Sequence, residues 1–253
     1  MPRSRPVRSG SDAIRVALIY QPASVTPIGD VAVLATPAFL DPAGVGDDAN
    51  RAALAQTFAP AGGGQAVTVV VNHLKSKGSP CGPGDDDPVQ GSCNRTRTLA
   101  ARELLAWVST DPTGSGSPHV LLIGDYNAYD EEDPIDVLLR GGYADLLEAF
   151  QGEEAYTYVF DGMLGYLDYA FASDSLTSSG RVTGATAWPI NADEPDILDY
   201  DTSFKGPRQA ALYEPERVPL VRPRPGHRRT GPGRLAPRLE TRSALATPVW
   251  FVP

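Results

Sequence analysis

The chain has no uninterrupted apolar run of 18 residues, so it offers no candidate for a membrane-spanning helix. Its opening, MPRSRPVRSGSDA, carries charge without an apolar core and does not read as a secretion signal; a gene that begins upstream could encode one there. Positive charge is in deficit, with 22 Lys and Arg against 31 Asp and Glu, a net −9. That balance argues against broad electrostatic attraction to nucleic acid and leaves only local patches as candidates. Glutamate is missing from the first hundred residues, Glu103 being the first. Acidic residues crowd INADEPDILDYD (190–201), but the EF-hand spacing and glycine are absent, so a solvated loop is expected there. Cysteine is scarce too, with only Cys81 and Cys93.

What is present is a set of apolar runs that end abruptly in polar residues: VTVVVNHLKSK (67–77), HVLLIGDYNAY (119–129) and GYLDYAF (165–171). Their length and β-branched content suit buried strands, and each polar ending marks a sheet edge or cleft. Period-two alternation puts His73, Lys75 and Lys77 on one face, an imidazole and two ammonium groups that can face an anion. Asp125 and Asn127 are also two apart. They offer a carboxylate and a carboxamide oxygen to a hard cation or an attacking water, with Tyr126 pointing away. Asp168 supplies a third carboxylate, to orient an imidazole or complete a metal site. The three strand ends are expected to converge at one edge of a pair of packed mixed sheets covered by helices.

The strings VVVNHLKSKG, LLIGDYNAYDEEDP and FDGMLGYLDYAFAS resemble the secreted bacterial nuclease branch of the endonuclease/exonuclease/phosphatase superfamily, which includes DNase I. LIYQPASVTPIG and TGATAWPINADEPDILDY extend the resemblance over residues 12–217. It implies an α/β fold, the four-layered α/β-sandwich of DNase I, and hydrolysis of phosphodiester or phosphomonoester bonds with Mg²⁺, or with Mn²⁺ or Ca²⁺. It implies that His73 contacts the scissile phosphate, that Asp125 orients or activates water with Asn127 beside it, and that Asp168 supports phosphate and metal chemistry. Asp125, Asn127 and Asp168 are the expected metal ligands, and DNA or RNA is the expected substrate. A phosphomonoesterase of the same fold and a non-catalytic binding module are the alternatives.

Two family features have no match. A metal-binding glutamate, in a string like LQEVEN, should precede the equivalent of LIYQP, and a Ser-Asp-His-Asp-Pro strand end should close the domain. Of the 22 basic residues seven lie in 218–253, with a single acidic one and frequent proline, so the composition changes abruptly after Arg217. The codons of VPLVRPRPGHRR (218–229), read one nucleotide later, permit Tyr-Arg-Ser-Ser-Asp-His-Asp-Pro-Val-Ile-Val-Gly, which points to a frameshift; a basic, disordered tail is the alternative. The expected organisation is one incomplete domain at 12–217 followed by an aberrant or disordered tail at 218–253. Loss of two such elements is expected to impair turnover severely.

Cys81 and Cys93 bracket GPGDDDPVQGS, read as a flexible acidic loop. The residues leave a disulfide or two free thiols open, with a metal site poorer because the spacing is wrong and no His pair is near; the resemblance implies a bridge, and with it an extracellular or cell-surface destination. NRTRTLAARELLAWVS (94–109) is expected to form an amphipathic helix capped by Asn94, with Leu99, Leu104, Leu105 and Val108 on its apolar side. Arg95 and Arg97 sit near its start, where the helix dipole disfavours cations, and are candidates for phosphate contact alongside Lys75 and Lys77. EEDPIDVLLRGGYADLLEAF (131–150) reads as short helices broken at Gly141 and Gly142, its Glu131, Glu132 and Asp133 being N-terminal helix charges. Tyr156, Tyr158 and Phe160 share a strand face, and His119 is expected to be exposed or capping.

Overall fold

Valine-rich extended runs form the middle of a mixed sheet, because β-branched side chains pack well on a pleated surface. In chain order the elements are β1 (Val25–Leu34), α1 (Pro37–Leu40), β2 (Arg51–Pro60), β3 (Val67–His73), α2 (Asn94–Val108), β4 (Val120–Asp125), α3 (Asp133–Arg140), β5 (Tyr143–Asp145), α4 (Leu146–Gln151), β6 (Tyr158–Phe160), β7 (Met163–Gly165), β8 (Asp168–Ser173) and α5 (Asp174–Thr177). The computed structural model describes residues 14–46, 49–160 and 162–189, together with Ala192. Residues 14–189 belong to one compact unit. The acidic segment 190–201, Ala192 aside, the expected boundary at residue 217 and the tail lie outside the described residues.

Six strands pair in the order β1-β2-β3-β4-β8-β5, and β6 and β7 form a separate hairpin. β3 runs parallel to β4, with Val70 beside Leu122 and His73 beside Asp125. The connection between them is α2, as parallel neighbours require a crossover. β8 runs antiparallel to β4, so that its first residue, Asp168, stands opposite Asp125. The C-terminal ends of β3 and β4 and the N-terminal end of β8 therefore meet at one edge, as the polar stops predict.

Helices cover one face of this sheet. Val70, Leu122, Tyr169 and Phe171 pack there against Phe39, Leu104, Ile135 and Leu138 from α1, α2 and α3. On the other face Leu121, Ala170, Ala172, Leu146 and Leu176 form a smaller cluster, with Val67, Val69, Ile123, Val182 and Ala185 partly buried against it. Tyr126 is fully buried in the helix-covered core, pointing away from the site as expected.

Three local expectations change. The N-cap position of α2 is Cys93 with φ 62°, not Asn94. Asn94 is buried and donates to Asp133 Oδ2 at 2.8 Å. The cap comes from the preceding loop: Asp85 accepts Thr96 N–H at 2.7 Å and the Thr96 hydroxyl at 2.6 Å. That loop is pinned rather than floppy. Asp86 accepts from Cys81 N and Cys93 N at 2.9 Å each and from Gly82 N at 3.0 Å, and Asp87 accepts from Val89 N and Gln90 N. His119 is only 6% exposed, its Nε2 2.8 Å from Gln65 Oε1, because its ring is folded into the β3–β4 end instead of facing water.

Candidate active site

The site grows from the register of β2, β3, β4 and β8. His73 ends β3 half-buried, and its Nε2 lies 3.8 Å from Asp125 Oδ2. Asp125 and Asp168 are cross-strand partners. On the outer side, Arg51 at the start of β2 is the cross-strand partner of His73. Four charged or titratable side chains thus come from four adjacent strand ends.

Gly124 makes this possible. It adopts φ 131°, and a Cβ there would sit 2.0 Å from the Asn72 carbonyl oxygen, so only glycine lets β3 and β4 approach this closely beside Asp125. Beyond Asp125 the chain turns sharply, and Asn127 takes a left-handed φ of 49°. Its N–H donates to Asp125 Oδ1 at 2.8 Å, while its side-chain Nδ2 donates to the Leu74 carbonyl at 3.0 Å. Underneath, Tyr126 OH accepts from Asn72 Nδ2 at 3.0 Å.

Burial is the largest influence on Asp125 and pushes its carboxyl above the ordinary range; the Asn127 N–H and the positive charges of His73, Arg51 and Arg97 pull the other way. A carboxylate held at a desolvation cost is one that a bound cation would relieve. Asp125 Oδ2, the Asp168 carboxylate and the Asn127 carboxamide oxygen are hard donors of the kind Mg²⁺, Mn²⁺ or Ca²⁺ takes, so the donor chemistry fits such an ion. Elsewhere among the described residues, Cys81, Asp86 and Cys93 bring three ligand atoms within 4.8 Å of one another. That cluster is a candidate ligand set for some divalent cation. Its two sulfurs are joined as a disulfide and its carboxylate is bonded to three backbone N–H groups, so a cation would bind there only after reduction.

The four cations expected to form an anion patch are placed differently from one another. Lys75 is half-buried just past His73, its Nζ 3.0 Å from Ser79 Oγ. Arg95 is exposed on the first turn of α2. Lys77 is turned away, paired with Glu132, donating to the Gln90 carbonyl at 2.9 Å and lying 4.8 Å from the Tyr129 ring centre. Burial lowers its pKa, against the opposing pull of Glu132. Glu132 is accordingly an ion-pair partner as well as the residue preceding α3. Arg97 is the largest fully buried side chain among the described residues, and its Nη1 donates to the carbonyls of Ser92 at 2.7 Å and Lys75 at 3.1 Å. Lys77 and Arg97 therefore do not face outward as a surface patch; hydrogen bonds to nearby carbonyls hold both inward.

Arg51 is not legible as a site residue in the sequence, because its position rests on a register shift in β2 between Arg51 and Leu54, which no alternation pattern reveals. Of the three aromatics expected on one strand face, Tyr158 and Phe160 lie in β6, 41% and 59% exposed, whereas Tyr156 precedes the strand and is half-buried.

The Endonuclease/Exonuclease/phosphatase family matches residues 15–197. Among curated proteins none matches. The solved structures similar to this chain include the human Nocturnin catalytic domain with bound sulfate, at 18% identity, covering 61% of this chain and 50% of that one with a TM-score of 0.43. A Bacteroides thetaiotaomicron mannosyl-6-phosphatase is 15% identical over 62% of this chain and 55% of that one, TM-score 0.44. D. rerio TDP2 complexed with a single-strand DNA product is 15% identical over 65% and 58%, TM-score 0.39. The chain thus spans between 50% and 58% of the length of these structures.

Proposed function

Because the chain belongs to the Endonuclease/Exonuclease/phosphatase family, whose members are metal-dependent phosphoesterases and nucleases, we propose that it is a nuclease of the secreted bacterial kind, hydrolysing phosphodiester bonds of DNA or RNA. The observation that carries this reading is the convergence of Arg51, His73, Asp125 and Asp168 on adjacent strand ends. Asp125, Asp168 and the Asn127 carboxamide oxygen would hold a divalent cation, Mg²⁺ foremost, which when bound neutralises phosphate charge and lowers the pKa of water. Asp125 orients the attacking water and takes its proton. His73 donates to a nonbridging phosphate oxygen, and Lys75 and Arg51 hold the substrate backbone by charge. Arg95, exposed on α2, extends that track.

Turnover is expected to be low, since no glutamate matching the family's metal ligand and no Ser-Asp-His-Asp-Pro stands in the sequence. The Cys81–Cys93 bridge supports an oxidising, extracellular setting. The test is supercoiled plasmid incubated with Mg²⁺ or Mn²⁺, in parallel with inorganic phosphate release from small monoesters. Slow nicking without phosphate release, abolished in Asp125→Asn, is the expected result. Phosphate release without nicking would replace the reading with a phosphomonoesterase, and saturable ligand binding with neither activity would replace it with a binding module.

A further inference from the structure

Past His73 the chain leaves the sheet, yet none of the peptide groups of Leu74 and Lys75 is left to water. Leu74 N–H donates to the Asp125 carbonyl at 2.9 Å, and the Leu74 carbonyl accepts from Asn127 Nδ2 at 3.0 Å. Lys75 N–H donates to Asn50 Oδ1 at 2.9 Å, and the Lys75 carbonyl accepts from Arg97 Nη1 at 3.1 Å. Three of these four partners are side chains, and all three are buried: Asn50 is 1% exposed, Asn127 8% and Arg97 0%. Asn50 is itself locked, its Nδ2 donating to the Phe39 carbonyl at 2.8 Å and its N–H to the Leu40 carbonyl at 2.8 Å. The backbone ladder between β2 and β3 ends at Arg51 and His73, and the Asn50 carboxamide then acts as one more peptide unit beyond it.

We propose that Asn50 and Arg97 are positioning residues that fix the His73–Leu74–Lys75 backbone, so that imidazole and ammonium meet one phosphate together. The inference rests on the nuclease function proposed for this site, in which Lys75 holds the substrate backbone. A lysine is a mobile point charge on a flexible stem, so anchoring the Cα from which it springs is what makes its contact specific. Of the Arg97 nitrogens only Nη1 has a hydrogen-bond partner among the described residues. Its one working arm is thus given to two carbonyls, which tie the Lys75 segment to the start of α2.

The test is anisotropy titration of a labelled oligothymidylate without added metal, from 50 to 300 mM KCl. The slope of log affinity against log salt falls by about 0.7 for each single-strand phosphate that the protein ceases to neutralise. Lys75→Ala is expected to weaken binding several-fold and to flatten the slope by the equivalent of one phosphate. Asn50→Ala is expected to do the same, and the double variant to be no worse than Lys75→Ala alone, since both remove one interaction. Asn50→Asp keeps the acceptor facing Lys75 N–H, so its slope should stay at the wild-type value while its added charge lowers affinity overall. Arg97→Lys should flatten the slope in the same non-additive way, and stands in if Asn50→Ala fails to fold. Additive losses, or a wild-type slope in Asn50→Ala and Arg97→Lys while Lys75→Ala flattens it, would overturn the positioning role alone. An unchanged slope in Lys75→Ala would overturn the phosphate contact and the positioning role with it.

Discussion

Replacing Asp85 by alanine removes the cap of α2, the helix that covers the sheet and carries Arg97. Two bonds disappear, from Thr96 N–H at 2.7 Å and from the Thr96 hydroxyl at 2.6 Å, in a setting where Asp85 is 5% exposed and Thr96 fully buried. Loss of a side-chain cap costs about 1 kcal/mol. Removing a negative charge from the positive end of a 15-residue helix adds roughly 0.5 kcal/mol. A buried hydroxyl left without its partner adds at least about 1 kcal/mol. The total of about 2 to 3 kcal/mol corresponds to a fall in Tm of about 5 to 10 °C for a chain of this size. Urea and thermal unfolding, followed by far-UV circular dichroism, measure it. Asp85→Asn keeps an acceptor without the charge and should lose about half as much. A Tm within about 1 °C of wild type for Asp85→Ala would refute the assignment of the cap.

Gly124→Ala should lower Tm at least as far as Asp85→Ala and disturb the site, because its Cβ meets the Asn72 carbonyl at 2.0 Å; Gly62→Ala, with nothing within 4 Å, should be neutral or slightly stabilising in the same melts. Cys81→Ser should destabilise by roughly 3 kcal/mol through the entropy of the opened loop, and non-reducing peptide mapping of protein made in an oxidising compartment should recover Cys81 and Cys93 joined, whereas recovery of both as alkylated thiols would contradict the bridge. Backbone N–H bonds from Cys81 and Cys93 hold Asp86 below the ordinary carboxylate range. A depressed folded pKa stabilises above the unfolded value and is lost as pH falls through the folded one. The Tm gap between wild type and Asp86→Asn should therefore be full near neutral pH and close as pH drops below about 3.9.

The strand ends at His73, Asp125 and Asp168 were legible because a β-branched run that stops in a charged residue carries its own signal, and because period two fixes which neighbours share a face. The partners that hold those ends were not legible. Asn50 and Asp85 act on backbone groups 25 and 11 residues away, and a backbone amide leaves no mark on composition. Arg97 reads in the sequence as a cation near a helix N-terminus that calls for an external anion; the fold instead buries it, with Nη1 on two carbonyls and the chain's own carboxylates, Glu132 foremost, favouring its charge against the cost of burial. β1 escaped notice as a strand because its burial does not alternate, and β2 because its buried residues include Gln56 and Thr57 as well as alanines.

The central claim is that the edge formed by β3, β4 and β8 binds a divalent cation. Titration of the chain with Mn²⁺, followed by the electron paramagnetic resonance signal of the free ion, tests it most directly, because it reads binding whatever the turnover. One site lost in Asp125→Asn, weakened in Asp168→Asn and unchanged in Asp86→Asn is the expected result. Equal Mn²⁺ uptake by wild type and Asp125→Asn, or loss of uptake in Asp86→Asn alone, would contradict it.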